Sequence, residues 1–225
     1  MKPSDNFTKY GYNLDDNQLQ QFDKYYHYLV ECNEKFNLTA ITEENEVYVK
    51  HFVDSLLGQA LIKQGATVCD VGAGAGFPSV PLKILRNDIS VTMVDSLSKR
   101  VNFLKEVGAL LNIELNACHD RAEDFAKNNR EKFDVTVARA VAPLAILLEY
   151  LAPLVKVGGK VLAYKTDESE LASAQNAIKT LGLRLTNAHH FTLEGANRCV
   201  LEFEKIKKTP PAYPRGQNKP RKNPL

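Results

Sequence analysis

Two carboxylates bracket a run of glycines in this 225-residue chain. Asp70 stands two residues before Gly72, Gly74 and Gly76 follow, and Asp95 comes 19 residues after Gly76. Glycine admits a tight turn with positive φ and lets a ligand approach the backbone closely. The dinucleotide fingerprint G-x-G-x-x-G, counted from Gly72, needs its third glycine at 77, where this chain has Phe77. The lysine and hydroxyl of a phosphate-gripping loop are also missing, since Phe77 and Pro78 follow Gly76. Asp70 would repel a pyrophosphate but pair with an ammonium group. S-adenosylmethionine carries an ammonium, a carboxylate and no phosphate, and Asp95 falls where a doubly wound fold sets a carboxylate against ribose hydroxyls. A structural turn in another α/β protein is the alternative reading of the glycines alone.

With a sulfonium cofactor, the segment FDVTVARAVAPL at 133–144 is where residues handling the methyl acceptor belong. It has no Asn-Pro-Pro-aromatic motif to grip an exocyclic amine, and no cysteine to attack a pyrimidine carbon. Arg139 stands there instead. An acceptor with a free lone pair, such as N7 of guanine, needs no general base, and in-line positioning supplies about 7–11 kcal/mol of barrier lowering. No catalytic residue in the strict sense is therefore expected; Arg139 and Lys165 are candidate substrate contacts. Phe77 or Tyr164 would either offer an aromatic face to the developing charge or simply pack. His51, Asp54 and Ser55 share one helix patch by their spacing, which reads equally as surface hydrogen bonding or as a substrate contact.

These residues need a scaffold. Val68, Cys69 and Val71 read as a buried strand, and a helix resumes after Pro78, so the glycines lie between a strand end and a helix N-terminus. From there the pattern alternates: strands at 67–71, 89–94, 113–118, 133–138 and 159–165, and helices at 78–86, 98–111, 121–128, 142–154 and 168–181. Such alternation predicts a parallel sheet with helices on both faces. Strand-like runs at 183–192 and 197–205, joined by Leu193-Glu194-Gly195-Ala196, predict a closing antiparallel hairpin. Upstream, apolar positions at three-and-four spacing predict a helix over 15–36 capped by Asp15 or Asp16, then a second helical run from Val47 to Leu61. The expected organisation is an N-terminal helical cap (1–64), an α/β core (65–205) and a basic tail (206–225).

No apolar run approaches the roughly 20 residues of a membrane span, and the N-terminus lacks a signal-peptide core, so a cytoplasmic protein is expected. Four cysteines form no C-x-x-C pair, and neither they nor His189 and His190 have metal-ligand spacing; no metal is expected. The net charge of +2 hides an asymmetry, because residues 205–225 hold seven Lys or Arg and no acid. The tail's five prolines argue against helix and central strand. Its Arg215, Lys219, Arg221 and Lys222 suit a phosphate backbone, with Tyr213 beside Arg215 as a base-stacking group; a merely solvated end is the alternative.

Taken together and in order, FNLTAI, HFVDSL, DVGAGAGFP, VDSLSKRVNFL, RAEDF, FDVTVARAVAPL and the YPR with basic ending resemble the RsmG family, also called glucose-inhibited division protein B. The resemblance covers most of the chain. It implies a class I S-adenosylmethionine-dependent methyltransferase: a Rossmann-like, seven-stranded, mostly parallel sheet with a C-terminal antiparallel hairpin and N-terminal helices. The implied reaction is methyl transfer to N7 of a guanine in a decoding-region loop of 16S rRNA, releasing S-adenosylhomocysteine, with 16S rRNA or the small ribosomal subunit as partner and the protein a monomer. The resemblance puts the cofactor on Gly72, Gly74, Phe77, Asp95, Ala122, Glu123 and Arg139, to which charge logic adds Asp70 and the glycine run adds Gly76. Ala122 and Glu123 would lie beside adenine, and Ser98, Lys99 and Arg100 would help bind substrate or cap their helix. Cys32, Ser79 and Thr166 depart from the family pattern without removing a proposed cofactor group. A small-molecule methyltransferase and a non-catalytic RNA-binding protein are the rival readings.

Overall fold

A computed structural model describes residues 2–225. Its centre is a seven-stranded sheet of order β3-β2-β1-β4-β5-β7-β6. The strands are β1 (Thr67–Val71), β2 (Ser90–Asp95), β3 (Asn116–His119), β4 (Phe133–Arg139), β5 (Val155–Lys165), β6 (Leu183–Leu193) and β7 (Ala196–Lys205). β1 to β5 run parallel, while β7 lies antiparallel to both β5 and β6. The strand order reverses between β1 and β4, the switch point outside which ligands bind in such sheets.

Helices cover both faces. α1 (Asp5–Lys9), α2 (Asp16–Phe36) and α3 (Glu44–Val47) precede a π-helical turn, Tyr48–Val53, and α4 (Asp54–Leu56). In α2 the buried Phe22, Tyr25, Leu29 and Cys32 recur at helical spacing, and Asp15 forms a capping box with Gln18. These side chains share one core with Val68 of β1, with α5 (Ser79–Leu85) and with α6 (Ser98–Leu111). The opposite face is packed by α7 (Ala122–Asn128), α8 (Leu144–Leu151) and α9 (Gln175–Leu181). The predicted helix over 168–181 is broken, with a 3-10 turn at Ser169–Leu171 before α9, and β3 starts at Asn116 rather than 113.

The tail corrects the sequence reading. Residues Lys219–Lys222 form a short helix, α10, with Pro220 in its first turn, where a missing N–H costs nothing. The segment also folds back on the body: Arg130 donates to the carbonyls of Thr209 at 2.7 Å and Tyr213 at 2.5 Å. Arg215, expected to contact RNA, instead grips the fully buried Glu149 of α8. A buried carboxylate needs such a partner, which takes this arginine out of the free cationic surface.

Candidate active site

The loop between β1 and α5 is built by its glycines. Gly72, Gly74 and Gly76 hold φ values of +75°, +58° and +98°, which a side chain would strain. The three differ in purpose. A Cβ on Gly72 would meet Val141 at 2.7 Å, and one on Gly76 would meet Val80 at 2.6 Å and the Tyr25 hydroxyl at 2.8 Å. At these two positions the close approach is protein packing, not ligand. A Cβ on Gly74 would touch only the Gly72 carbonyl, at 3.9 Å, so the open side of the loop is here. Tyr25 of α2 donates to the Ala75 carbonyl and pins the loop from behind. That tie spans 50 residues, and nothing in the local sequence signals it.

Asp95, at the end of β2, accepts from the Gly74 N–H at 3.0 Å through Oδ2 and from the Leu97 N–H at 2.9 Å through Oδ1. Arg100 of α6 approaches Oδ2 at 3.5 Å. The backbone bonds fix the carboxylate's orientation, and each oxygen keeps a lone pair. A cavity of about 330 Å³ opens in front of it, lined among others by Gly72, Asp95, Ala122, Glu123, Tyr150 and Arg221.

A second cavity, of about 370 Å³, lies beyond Ala140, which lines both. Ala140 holds φ +56°, a left-handed conformation costing a non-glycine residue roughly 1 kcal/mol, in the turn that leaves β4. His51, Asp54, Arg139, Tyr164, Lys165 and Arg198 line this second space. Asp54 is its electrostatic hub. It accepts from Arg139 at 2.5 Å and from Arg198 of β7 at 2.8 Å, and is itself buried. Arg139 also donates to the Lys50 carbonyl at 3.1 Å and to His51 Nδ1 at 3.2 Å, and lies 4.9 Å from the centre of the Phe77 ring. His51 Nδ1 also lies 3.1 Å from the Lys50 carbonyl; the Arg139 guanidinium, which only donates, bridges both as acceptors, and in that tautomer the ring's Nε2–H donates to Thr39 Oγ1 at 2.8 Å. Burial, reinforced by Arg139, pushes the His51 pKa down to about 3, so the imidazole is neutral at physiological pH. Three of the five N–H groups of Arg139 have protein acceptors, leaving Nε–H and one Nη2–H for a ligand.

The sequence-derived candidates thus fall into groups. Gly72, Asp95, Ala122 and Glu123 line the first cavity, Arg139 and Lys165 the second. Phe77 lines neither: its ring is stacked on His51 with centroids 4.6 Å apart and carries the Arg139 guanidinium, so its aromatic face is already taken by a cation. Tyr164 is in the second cavity, with its hydroxyl donating to the Ser55 carbonyl at 2.9 Å. Lys165 donates to Glu170 at 2.9 Å. Asn218 and Tyr150 in the first cavity and Arg198 in the second carry no local sequence signal. Asp70, at the end of β1, is fully buried, and burial pushes its pKa up to about 7 against the opposing pull of the neighbouring Ser79. Asp70 lines neither cavity; the open space beside Gly74 and the fixed carboxylate of Asp95 are what fit a cofactor lying against the loop. Among the described residues no group of three or more His, Cys, Asp or Glu side chains is placed to hold a metal, and no helix is long and apolar enough to cross a membrane.

A parallel sheet closed by an antiparallel hairpin, a glycine loop at the switch point and a carboxylate at the end of the adjoining strand define a class I S-adenosylmethionine-dependent methyltransferase. A solved structure of a SAM-dependent methyltransferase from Aquifex aeolicus has this fold, with TM-score 0.54 at 16% identity over 70% of this chain and 93% of that one. Residues 18–199 match the sequence model of GidB, described as rRNA small subunit methyltransferase G. The protein of that name from Lactobacillus acidophilus is 48% identical over 97% of this chain and 95% of its own length. The Bacillus subtilis protein is 48% identical over 96% and 94%. The chain belongs to this rRNA small subunit methyltransferase G family.

Proposed function

We propose that the chain transfers the methyl group of S-adenosylmethionine to N7 of a guanine in 16S rRNA, working in the cytoplasm as a monomer on the RNA or the small subunit. The observation that carries this reading is the pair of cavities meeting at Ala140, outside the ends of β1 and β4. One presents a fixed carboxylate and backbone suited to adenosine; the other is lined by guanidinium, ammonium and aromatic groups suited to an anionic, planar acceptor.

S-adenosylmethionine, when bound, supplies an electrophilic methyl on a cationic sulfur. The protein's residues do the rest by placement. Asp95 receives the ribose hydroxyls, Ala122 and Glu123 flank the adenine, and Gly74 gives the methionyl part access to the backbone. Asp70, in its ionised form, faces the ammonium end electrostatically, and the remaining N–H groups of Arg139 take the methionine carboxylate. Lys165 and Arg198 meet RNA across the second cavity. As N7 attacks, its lone pair forms the new C–N bond while the C–S pair returns to sulfur, giving S-adenosylhomocysteine and a cationic purine ring. No proton moves, which agrees with a site whose one histidine is neutral and already hydrogen-bonded at both nitrogens. The positive charge that passes to the purine arises near Asp54, whose carboxylate offsets the flanking arginines.

Incubating the protein with methyl-labelled S-adenosylmethionine and small subunits from cells lacking this gene, then digesting to nucleosides, tests the reading. Label in 7-methylguanosine is expected. Label in any other nucleoside would refute the N7 assignment.

A further inference from the structure

We propose that the carboxyl-terminal segment is part of the cofactor site, with Asn218 and Arg221 contacting the adenine. This rests on the reading of the first cavity as the adenosine site. The sequence assigned the tail's cations to RNA; the structure divides them. Asn218 and Arg221 line the cavity that holds Asp95 and Glu123, whereas Lys219 and Lys222 are exposed and line neither cavity.

The segment is anchored on both sides of Asn218. Upstream, Arg215 spends its backbone N–H and its side chain on Glu149, at 2.8, 2.9 and 2.7 Å, with Glu149 wholly removed from solvent. Losing that arginine would strand a buried carboxylate, so the attachment is strong. Downstream, Pro220 is buried, and Arg221 donates to the Val141 carbonyl at 3.4 Å. Val141 is the residue packed over Gly72, so the segment leans on the same loop that closes the cavity floor. Between these anchors, Gln217 and Asn218 take consecutive left-handed conformations, φ +60° and +59°, turning the chain at the cavity rim. Asparagine tolerates this conformation better than most residues.

The chemistry suits an adenine. A carboxamide presents one acceptor and two donors, which complement the amino group and ring nitrogen of an adenine edge. A planar guanidinium stacks on a π face and is weakly hydrated, so Arg221 can cover the base without a large desolvation cost. Tyr150 of α8, in the same cavity beside Arg221, adds a ring to this enclosure.

Calorimetric titration of the full-length protein with S-adenosylhomocysteine tests this without reference to turnover. The Asn218→Ala/Arg221→Ala double variant, altered only at exposed side chains, is expected to bind at least about tenfold more weakly. Lys222→Ala is expected to bind the cofactor product as the wild type does. Arg215→Ala, which releases the segment, should weaken binding comparably, and adding it to the double variant should cost little more. Asp95→Ala is measured alongside. If Asp95→Ala weakens binding and the double variant does not, the proposal is overturned while the adenosine cavity stands. If neither weakens it, the cavity assignment falls and the proposal with it.

Discussion

Asp54 should matter more to stability than either arginine it holds. It is buried, with its side chain 7% exposed, and its two oxygens receive Arg139 at 2.5 Å and Arg198 at 2.8 Å. Asp54→Ala leaves two guanidiniums facing each other across a mostly desolvated space. Removing one partner from a buried pair costs about 3–5 kcal/mol, and the partial exposure of the arginine side chains, 14% and 22%, favours the lower end, about 3 kcal/mol. For a domain of this size each kcal/mol moves the midpoint by about 2–4 °C, so the melting temperature should fall by about 6–12 °C. Arg139→Ala is milder, since Asp54 loses the donor to Oδ2 but keeps Arg198 on Oδ1 and stays paired; about half that loss is expected. In the Asp54→Ala/Arg139→Ala double variant one of the unpaired cations is gone, so its loss should be smaller than the sum of the two singles, a coupling of about 1–2 kcal/mol. Calorimetry of the four proteins at neutral pH measures the cycle. An Asp54→Ala protein melting within about 2 °C of wild type, or strictly additive losses, would refute the description of Asp54 as the hub.

Gly76→Ala should cost about 2–4 kcal/mol, because its Cβ would meet Val80 at 2.6 Å in addition to the strain of φ +98°. Gly74→Ala should cost only about 1 kcal/mol while weakening cofactor binding. Denaturant unfolding and product titration of both variants check the contrast, and equal stability losses would contradict it. Asp70 gives a pH signature in the unliganded protein. Its carboxyl ionises near 3.8 in the unfolded chain but near 7 when buried, so the folded state holds an extra proton between those values. Stability contributed by that proton is complete below about 4 and is lost as pH rises to about 7, a change of up to about 4 kcal/mol. Asp70→Asn should therefore be stabilising relative to wild type at pH 8 and close to neutral at pH 4, as read by urea unfolding; a difference independent of pH would contradict the buried-acid assignment.

What the sequence revealed follows from distance along the chain. The strand, glycine turn and second acid lie within the 29 residues from Thr67 to Asp95, and both their order and their period are set by local backbone requirements. Helix spacing places His51 and Asp54 on one patch, although His51 lies in the π-helical turn and Asp54 opens α4. The meaning of that patch was hidden, because Arg139 reaches it from 85 residues away and Arg198 from 144. The tail misled for a related reason. Proline and lysine counts describe an extended cationic end for RNA or, failing that, for solvent, but Glu149, 66 residues upstream, supplies a buried charge that Arg215 satisfies, and this folds the segment back. Gly72 and Gly76 showed the need for positive φ in the sequence, whereas the Val141 and Tyr25 side chains that fill the space beside them are tertiary neighbours.

The most direct measurement is the 7-methylguanosine content of 16S rRNA from cells lacking this gene, complemented with the wild-type protein or with Asp95→Ala. The structure and the family together predict one residue of 7-methylguanosine fewer per 16S molecule without the gene, restored by wild type and not by Asp95→Ala expressed at the same level. Unchanged 7-methylguanosine in the deletion strain, or full restoration by Asp95→Ala, would contradict the assignment of this site to guanine-N7 methylation.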